Sequence, residues 1–254
     1  MRGRSLLVGL LLLMCLGSTL GTYVRFFHAI AEAREVDIYA NGKAIIKGMV
    51  YSKLTKYISV SPDREGLLKI EFHAGGNTDV LFYSKASVPG DGHYTVVACG
   101  LLTKTKIYPF QALFFQDLHQ SLAARAALRT IHASAGSINM NVLVDGEVAY
   151  TNIAYGTTSQ PEFGYLKAGN RSIAIRATGE GGPIVVGPLD VALAGRSVTT
   201  IIILGVAGNE RTPLTAIVEV DYSTDSPLPP VKPKIKAKDG TLGGLVPLAG
   251  MLEI

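Results

Sequence analysis

Apolar and polar residues alternate strictly along Leu68, Lys69, Ile70, Glu71, Phe72 and His73. That is the period of a strand with one face on a core and the other in water. Val36, Asp37, Ile38, Tyr39 and Ala40 repeat the pattern, and Asn41-Gly42 follows directly; Asp145-Gly146 stands at the corresponding point further along. Both dipeptides accept the positive φ angles of a two-residue turn, so each position predicts a hairpin. Residues 96–99 and 201–204 are apolar without a break and read as central strands buried on both faces. About seven or eight strands fit into each half of the chain at spacings of ~8 to 12 residues, the pattern of a β-sandwich. The best helical stretch, residues 116–127, overlaps the first strand of the second half, so residues 116–123 are read as a linker.

The two halves repeat. A shift of 104 residues carries Arg25 onto Arg129, His28 onto His132, Ala29 onto Ala133, Ala31 onto Ala135, Gly42 onto Gly146 and Tyr51 onto Tyr155. Further on the shift becomes 105, and Gly90 and Gly100 meet Gly195 and Gly205. One single-residue insertion across such a span is the mark of gene duplication, and a recurring unit must be recognised before the fold is assigned. The expected organisation is a sandwich over residues 22–115, the linker 116–123, a second sandwich over 124–222 and a distinct tail over 223–254.

Both ends of the chain differ from this body. Arg2 and Arg4, an apolar run over residues 6–16 and small residues over 17–21 have the layout of a secretory signal peptide cleaved near Gly21. An apolar run of about 11 residues falls short of the ~20 that span a bilayer. Cys15 follows Met14, a poor residue before a lipid-attachment cysteine. Secretion or display at the cell surface is therefore expected. In the tail, Pro227, Pro229, Pro230 and Pro233 predict an extended spacer, followed by alternating Lys232, Lys234, Lys236 and Lys238 and an apolar tip over residues 240–254. Leu248, Leu252 and Ile254 share one face of an extended strand there. Such a tip is suited to add a strand to a β-domain, in its own chain or a neighbour's.

Composition narrows the function. Hydrophobic residues make up 48% and charged residues 17% of 254, enough apolar material for two cores. Without Arg2 and Arg4 the chain carries 22 Lys+Arg against 20 Asp+Glu, scattered along its length, which lacks the concentrated basic face that nucleic acid requires. Removal of the leader leaves Cys99 as the single cysteine, so no internal disulfide forms and the core alone must hold the exported protein together. Cys99 lies in an apolar strand and reads as a small buried hydrophobe rather than a nucleophile.

The segments Val24-Arg25-Phe26-Phe27-His28-Ala29 and Val36-Asp37-Ile38-Tyr39-Ala40-Asn41-Gly42 resemble a bacterial family catalogued as domain of unknown function 4397. Its pattern is R-[FV]-[FV]-H-A-S-P-[DN]-A-P followed by V-D-[IV]-Y-x-[ND]-G, often twice per chain. Residues 129–134 and 141–146 match it more loosely. Residues 30–34 and 134–138 stand in place of the family's S-P-[DN]-A-P turn without a proline. The resemblance spans residues 23–222 and implies an exported, envelope-associated β-sandwich protein without transferable catalytic residues. The fold expected is all-β: two tandem immunoglobulin-like or transthyretin-like β-sandwiches.

The recurrent residues are the candidate sites, and structural roles are expected for Arg25, His28, Arg129, His132, Asn41, Gly42, Asp145 and Gly146. Each copy offers one recurrent His without an H-x-H or H-E-x-x-H pair, so His28 and His132 are expected to fix loops through backbone hydrogen bonds rather than ligate metal. Arg25 is expected to pair internally with a carboxylate such as Asp37, with Asn141 as the acceptor in copy two. Catalytic and cofactor signatures, G-x-S-x-G, G-x-x-x-x-G-K-[ST] and G-x-G-x-x-G, are absent from the sequence, and no cofactor is expected. The leading expectation is a non-enzymatic structural or interaction module that self-associates through its tail or contacts a cell-wall polymer or other envelope component. A carbohydrate or small-ligand binding protein is the alternative, with Tyr150, Tyr155, Phe163 and Tyr165 as candidate loop aromatics.

Overall fold

The computed structural model describes residues 19–88, 92–103, 106–118, 124–179, 181–223 and 233–234. The leader over residues 1–18, linker residues 119–123 and the apolar tip over 240–254 lie outside them. Among the described residues the period-two segments become strands and no helix forms. After β1 (Thr19–Leu20), copy one contributes β2 (Thr22–His28), β3 (Glu35–Ala40), β4 (Lys43–Val50), β5 (Ile58–Val60), β6 (Leu67–Ala74), β7 (Val80–Ser87), β8 (His93–Cys99) and β9 (Gln111–Gln116). Copy two contributes β10 (Arg125–His132), β11 (Met140–Val144), β12 (Glu147–Ile153), β13 (Gly164–Lys167), β14 (Gly169–Ala177), β15 (Ile184–Leu193), β16 (Val198–Leu204) and β17 (Thr215–Tyr222). The short β18 (Pro233–Lys234) pairs antiparallel with β1, joining the two ends of the described chain.

Each copy is a sandwich of two four-stranded sheets with the same strand order. The inner sheets run β5-β2-β8-β9 and β13-β10-β16-β17; the outer sheets run β4-β3-β6-β7 and β12-β11-β14-β15. Among the described residues only the central pairs of the inner sheets are parallel, β2 with β8 and β10 with β16, and their registers match, Arg25 opposite Thr95 and Arg129 opposite Thr200. The alternation in β6 does what its period dictates: Leu68, Ile70 and Phe72 are buried in the core of copy one with Val24, Phe26, Val36 and Ile38. Copy two has its own core around Leu128, Val142, Ile173, Ile175 and Ile201.

A third apolar cluster explains why β8 and β16 are buried on both faces. Phe27, Ala29, Val97 and Cys99 of copy one pack with Ile131, Ala133, Ile202 and Leu204 of copy two. Successive strand residues point to opposite faces, so Phe26 and Val96 fill the sandwich while Phe27 and Val97 cover the other copy. The inner sheets thus pack on each other, and equivalent residues meet in the contact, which is isologous.

Both predicted hairpins form. Asn41 and Gly42 have φ of 47° and 78°, Asp145 and Gly146 53° and 86°, the two positive values a type I′ turn requires. Side chains pin the turns: Lys69 N–H donates to Asn41 Oδ1 at 2.9 Å, and Ser172 N–H to Asp145 Oδ1 at 3.0 Å.

Candidate functional site

The polar residues that recur in the inner sheets meet between the copies. Arg25 extends from β2 beside Thr95 of β8 and donates from Nε to Thr95 Oγ1 at 2.8 Å. Thr95 in turn donates to the carboxylate of Asp117, just past β9, at 2.8 Å. Copy two repeats the arrangement: Arg129 Nε donates to Thr200 Oγ1 at 3.0 Å, and Thr200 donates to Asp221 of β17. The guanidiniums then reach across the interface. Arg25 Nη2 pairs with Asp221 of copy two, and Arg129 Nη2 with Asp117 of copy one at 2.6 Å. Arg129 Nη2 also lies 3.4 Å from Asp221, and Arg25 Nε 3.8 Å from Asp117. Two arginines, two aspartates and two threonines close a ring with approximate two-fold symmetry.

Its electrostatics follow from burial. The Arg129, Asp117 and Asp221 side chains are fully buried and Arg25 nearly so. Two cations and two anions leave the group neutral, the condition under which charges can be taken out of water at tolerable cost. Burial alone would loosen the guanidinium protons, but the carboxylates of Asp221 and Asp117 outweigh it and hold Arg25 and Arg129 above their ordinary range. Burial pushes the Asp221 carboxyl up, Asp117 adds to the push, and Arg25 and Arg129 oppose it. Aromatic faces close the ring. The Arg25 guanidinium lies 5.0 Å from the centre of Tyr57, and that of Arg129 4.9 Å from Phe163 and 5.6 Å from Phe115. Tyr57 also donates to Asp117 at 2.8 Å, whereas in copy two Arg129 finds an extra acceptor in Glu162 at 3.3 Å.

Arg25 does not pair with Asp37, the carboxylate expected from sequence. Asp37 lies on the outer sheet, where its Oδ1 accepts the backbone N–H of Gly48 at 2.7 Å; Asn141 Oδ1 accepts that of Asn152 at the same distance. Gly48 and Asn152 have φ of 61° and 53°, and the ladders of β3 with β4 and β11 with β12 shift register alongside. Asp37 and Asn141 therefore anchor a β-bulge in each copy. The true partners are distant in sequence, Asp117 just past β9 and Asp221 in β17. They recur all the same: Asp117 falls on Asp221 at a shift of 104 and Thr95 on Thr200 at 105.

The recurrent histidines are fully buried. His28 Nδ1 accepts Ile30 N–H at 3.2 Å; His132 Nδ1 accepts Ser134 N–H at 3.3 Å, with its Nε2 3.1 Å from the Ile138 carbonyl. Each ring meets a tyrosine edge-on, Tyr51 or Tyr155. Burial lowers the His28 pKa to about 4 and shifts His132 in the same direction. Among the described residues no three His, Cys, Asp or Glu side chains gather where they could hold a metal ion. Cys99 is fully buried in the shared cluster, accepts Tyr155 Oη–H at 3.4 Å, and has its thiol pushed up to about 12 by burial, which keeps it in the unreactive protonated form. The loop aromatics are equally committed: Tyr150 is buried in the core of copy two and donates to the Leu128 carbonyl, Tyr155 packs at the interface, and Phe163 lies under Arg129. Tyr165, on β13, is 39% exposed.

A family model described as "Domain of unknown function (DUF4397)" matches residues 22–136 and again residues 126–236. A search of curated proteins returned no match to this chain.

Proposed function

The chain belongs to the DUF4397 family twice over, and on that premise we propose that it is an exported, non-enzymatic structural or interaction module of the cell envelope or extracellular space. The observation that carries this reading is the neutral ring. The charged residues that recur between the copies, which in an enzyme would face a substrate, are buried and satisfied by one another. Their effect is mechanical, since they fasten two sandwiches into one body whose outer sheets and edge strands β7 and β15 face outward. A fixed pair of sheets at a set spacing suits a spacer or docking platform. Export rests on the leader, and self-association on the apolar tip at residues 240–254; both lie outside the described residues.

The test is the assembly state of the exported protein. Light scattering of the full chain, compared with a chain stopped after Tyr222, should show concentration-dependent assembly that the shorter chain loses. A mass that stays monomeric for both, with no retention on isolated envelope polymer, would overturn the proposal.

A further inference from the structure

At the opposite end of the interface from the ring, the two-fold symmetry fails and leaves a cleft. On one side Tyr108 of copy one packs edge-on against Tyr155 of copy two, ring centres 5.6 Å apart, and sits within 3.9 Å of the place a Cβ on Gly136 would occupy. The position equivalent to Tyr108 is Thr212, since Leu101 N–H donates to the Tyr108 carbonyl and Val206 N–H to that of Thr212, and threonine has no ring to fill the matching space. On that side a cleft of about 710 Å³ remains open between residues 31–34, Val50 and Tyr51 of copy one and Asn209, Arg211 and Thr212 of copy two. That volume lies within the range of small-molecule sites.

The lining is chemically uneven. The Glu32 carboxylate is engaged by Thr103, accepting its backbone N–H at 2.8 Å and its hydroxyl at 2.6 Å. Asn209 Oδ1 accepts the backbone N–H groups of Arg211 at 2.9 Å and Thr212 at 3.2 Å, which fixes the loop that presents them. Arg34 and Arg211 make no ion pair among the described residues. Thr212 Oγ1 is buried without a hydrogen-bond partner, a state that native structures rarely leave unanswered. Two unpaired guanidiniums against one engaged carboxylate give the cleft a positive balance, and guanidinium geometry favours carboxylate and phosphate oxygens.

We propose that this cleft binds a small, hydroxylated ligand bearing an oxyanion, with the oxyanion on Arg34 and Arg211 and a hydroxyl group on Thr212. The proposal goes beyond the scaffold reading and does not depend on it. Placement supports it: β2 starts and β17 ends beside the ring, at the end of the interface opposite the cleft. Two sources share the required chemistry, the carboxylate of an acidic sugar and the phosphate of a phosphorylated polyol.

The experiment is calorimetric titration of the full chain at low salt with glucuronate, with glycerol phosphate and with uncharged glucose. Saturable binding of one or both anions, absent with glucose, is expected; which anion binds identifies the source. Arg34→Gln and Arg211→Gln should each weaken it by about tenfold, the scale of one lost charge-assisted contact. Both residues are exposed, and unchanged melting temperatures show that the variants fold. Anion heats no larger than those of glucose, or binding that survives in the double variant, would overturn the proposal. Neither result bears on assembly through the tail, which light scattering reads separately.

Discussion

At one end of the interface Arg25, Thr95 and Asp117 exchange partners with Arg129, Thr200 and Asp221; at the other, Tyr108 has Thr212 for a counterpart. The contrast shows where duplicated copies are free to diverge. A buried charge cannot change alone, because each substitution strands an ion that no water can reach. A loop at the rim pays no such penalty, so one copy can keep a plug while the other opens a cleft. Symmetry persists where the electrostatics are unforgiving and lapses where they are not.

The ring is where this comparison can be broken most forcibly. Asp221→Ala should destabilise the protein by about 3–5 kcal/mol in denaturant unfolding, since it leaves Arg25 without its partner across the interface. Asp117→Ala should match it closely if the two halves of the ring are equivalent. Combining Arg25→Met with Asp221→Leu should recover much of the loss, since the two positions interact directly. Simple additivity in that double variant would mean that the ring is not a coupled unit.

The histidines provide a second, smaller test of equivalence. His28 is lowered from 6.5 to about 4 in the folded protein, and His132 moves in the same direction. The unfolded chain therefore binds more protons across that window, so the stability from each neutral imidazole is fully present above about pH 6.5 and is lost as pH falls toward 4. For His28 the full loss amounts to about 3 kcal/mol. Asp221, raised by burial, acts with the opposite sign above its ordinary value of 3.8. Unfolding midpoints measured between pH 7 and 4.5 should have shallower slopes in His28→Gln and in His132→Gln. An unaltered slope in either variant would show that its imidazole is not held neutral.

The smallest expected effect lies in the bulges. Gly48 and Asn152 hold the same left-handed conformation in β4 and β12, where Asn and Gly are tolerated and a plain Cβ is strained. Gly48→Ala should cost about 1 kcal/mol, and Gly48→Asn, which copies the second bulge, about half of that or less. Equal costs would mean that the space around Gly48, rather than its φ, sets the requirement.

Much of this architecture was legible in advance. The period-two segments became strands, Asn41-Gly42 and Asp145-Gly146 became type I′ hairpins, and the duplicated chain became two sandwiches of identical strand order. The recurrence of Arg25 and Arg129 was visible as well, but their partners were not. Asp37 is close to Arg25 in sequence yet lies in the other sheet. Helping to conceal the ring, Asp117 fell at the edge of what reads as a linker.

Local structure follows from the amino-acid order alone, because side-chain period and turn chemistry act over a few residues. So does the number of copies, because duplication leaves its register in the chain. Packing of the two copies sets the rest: residues 96–99 and 201–204 are covered on their second face by the other copy, and Arg25 reaches an aspartate 196 positions away. Those choices depend on how two finished sandwiches meet. An inner sheet that presents both apolar residues and an arginine is stable only when another surface supplies apolar contacts and a carboxylate in the same register. Here the second copy supplies both.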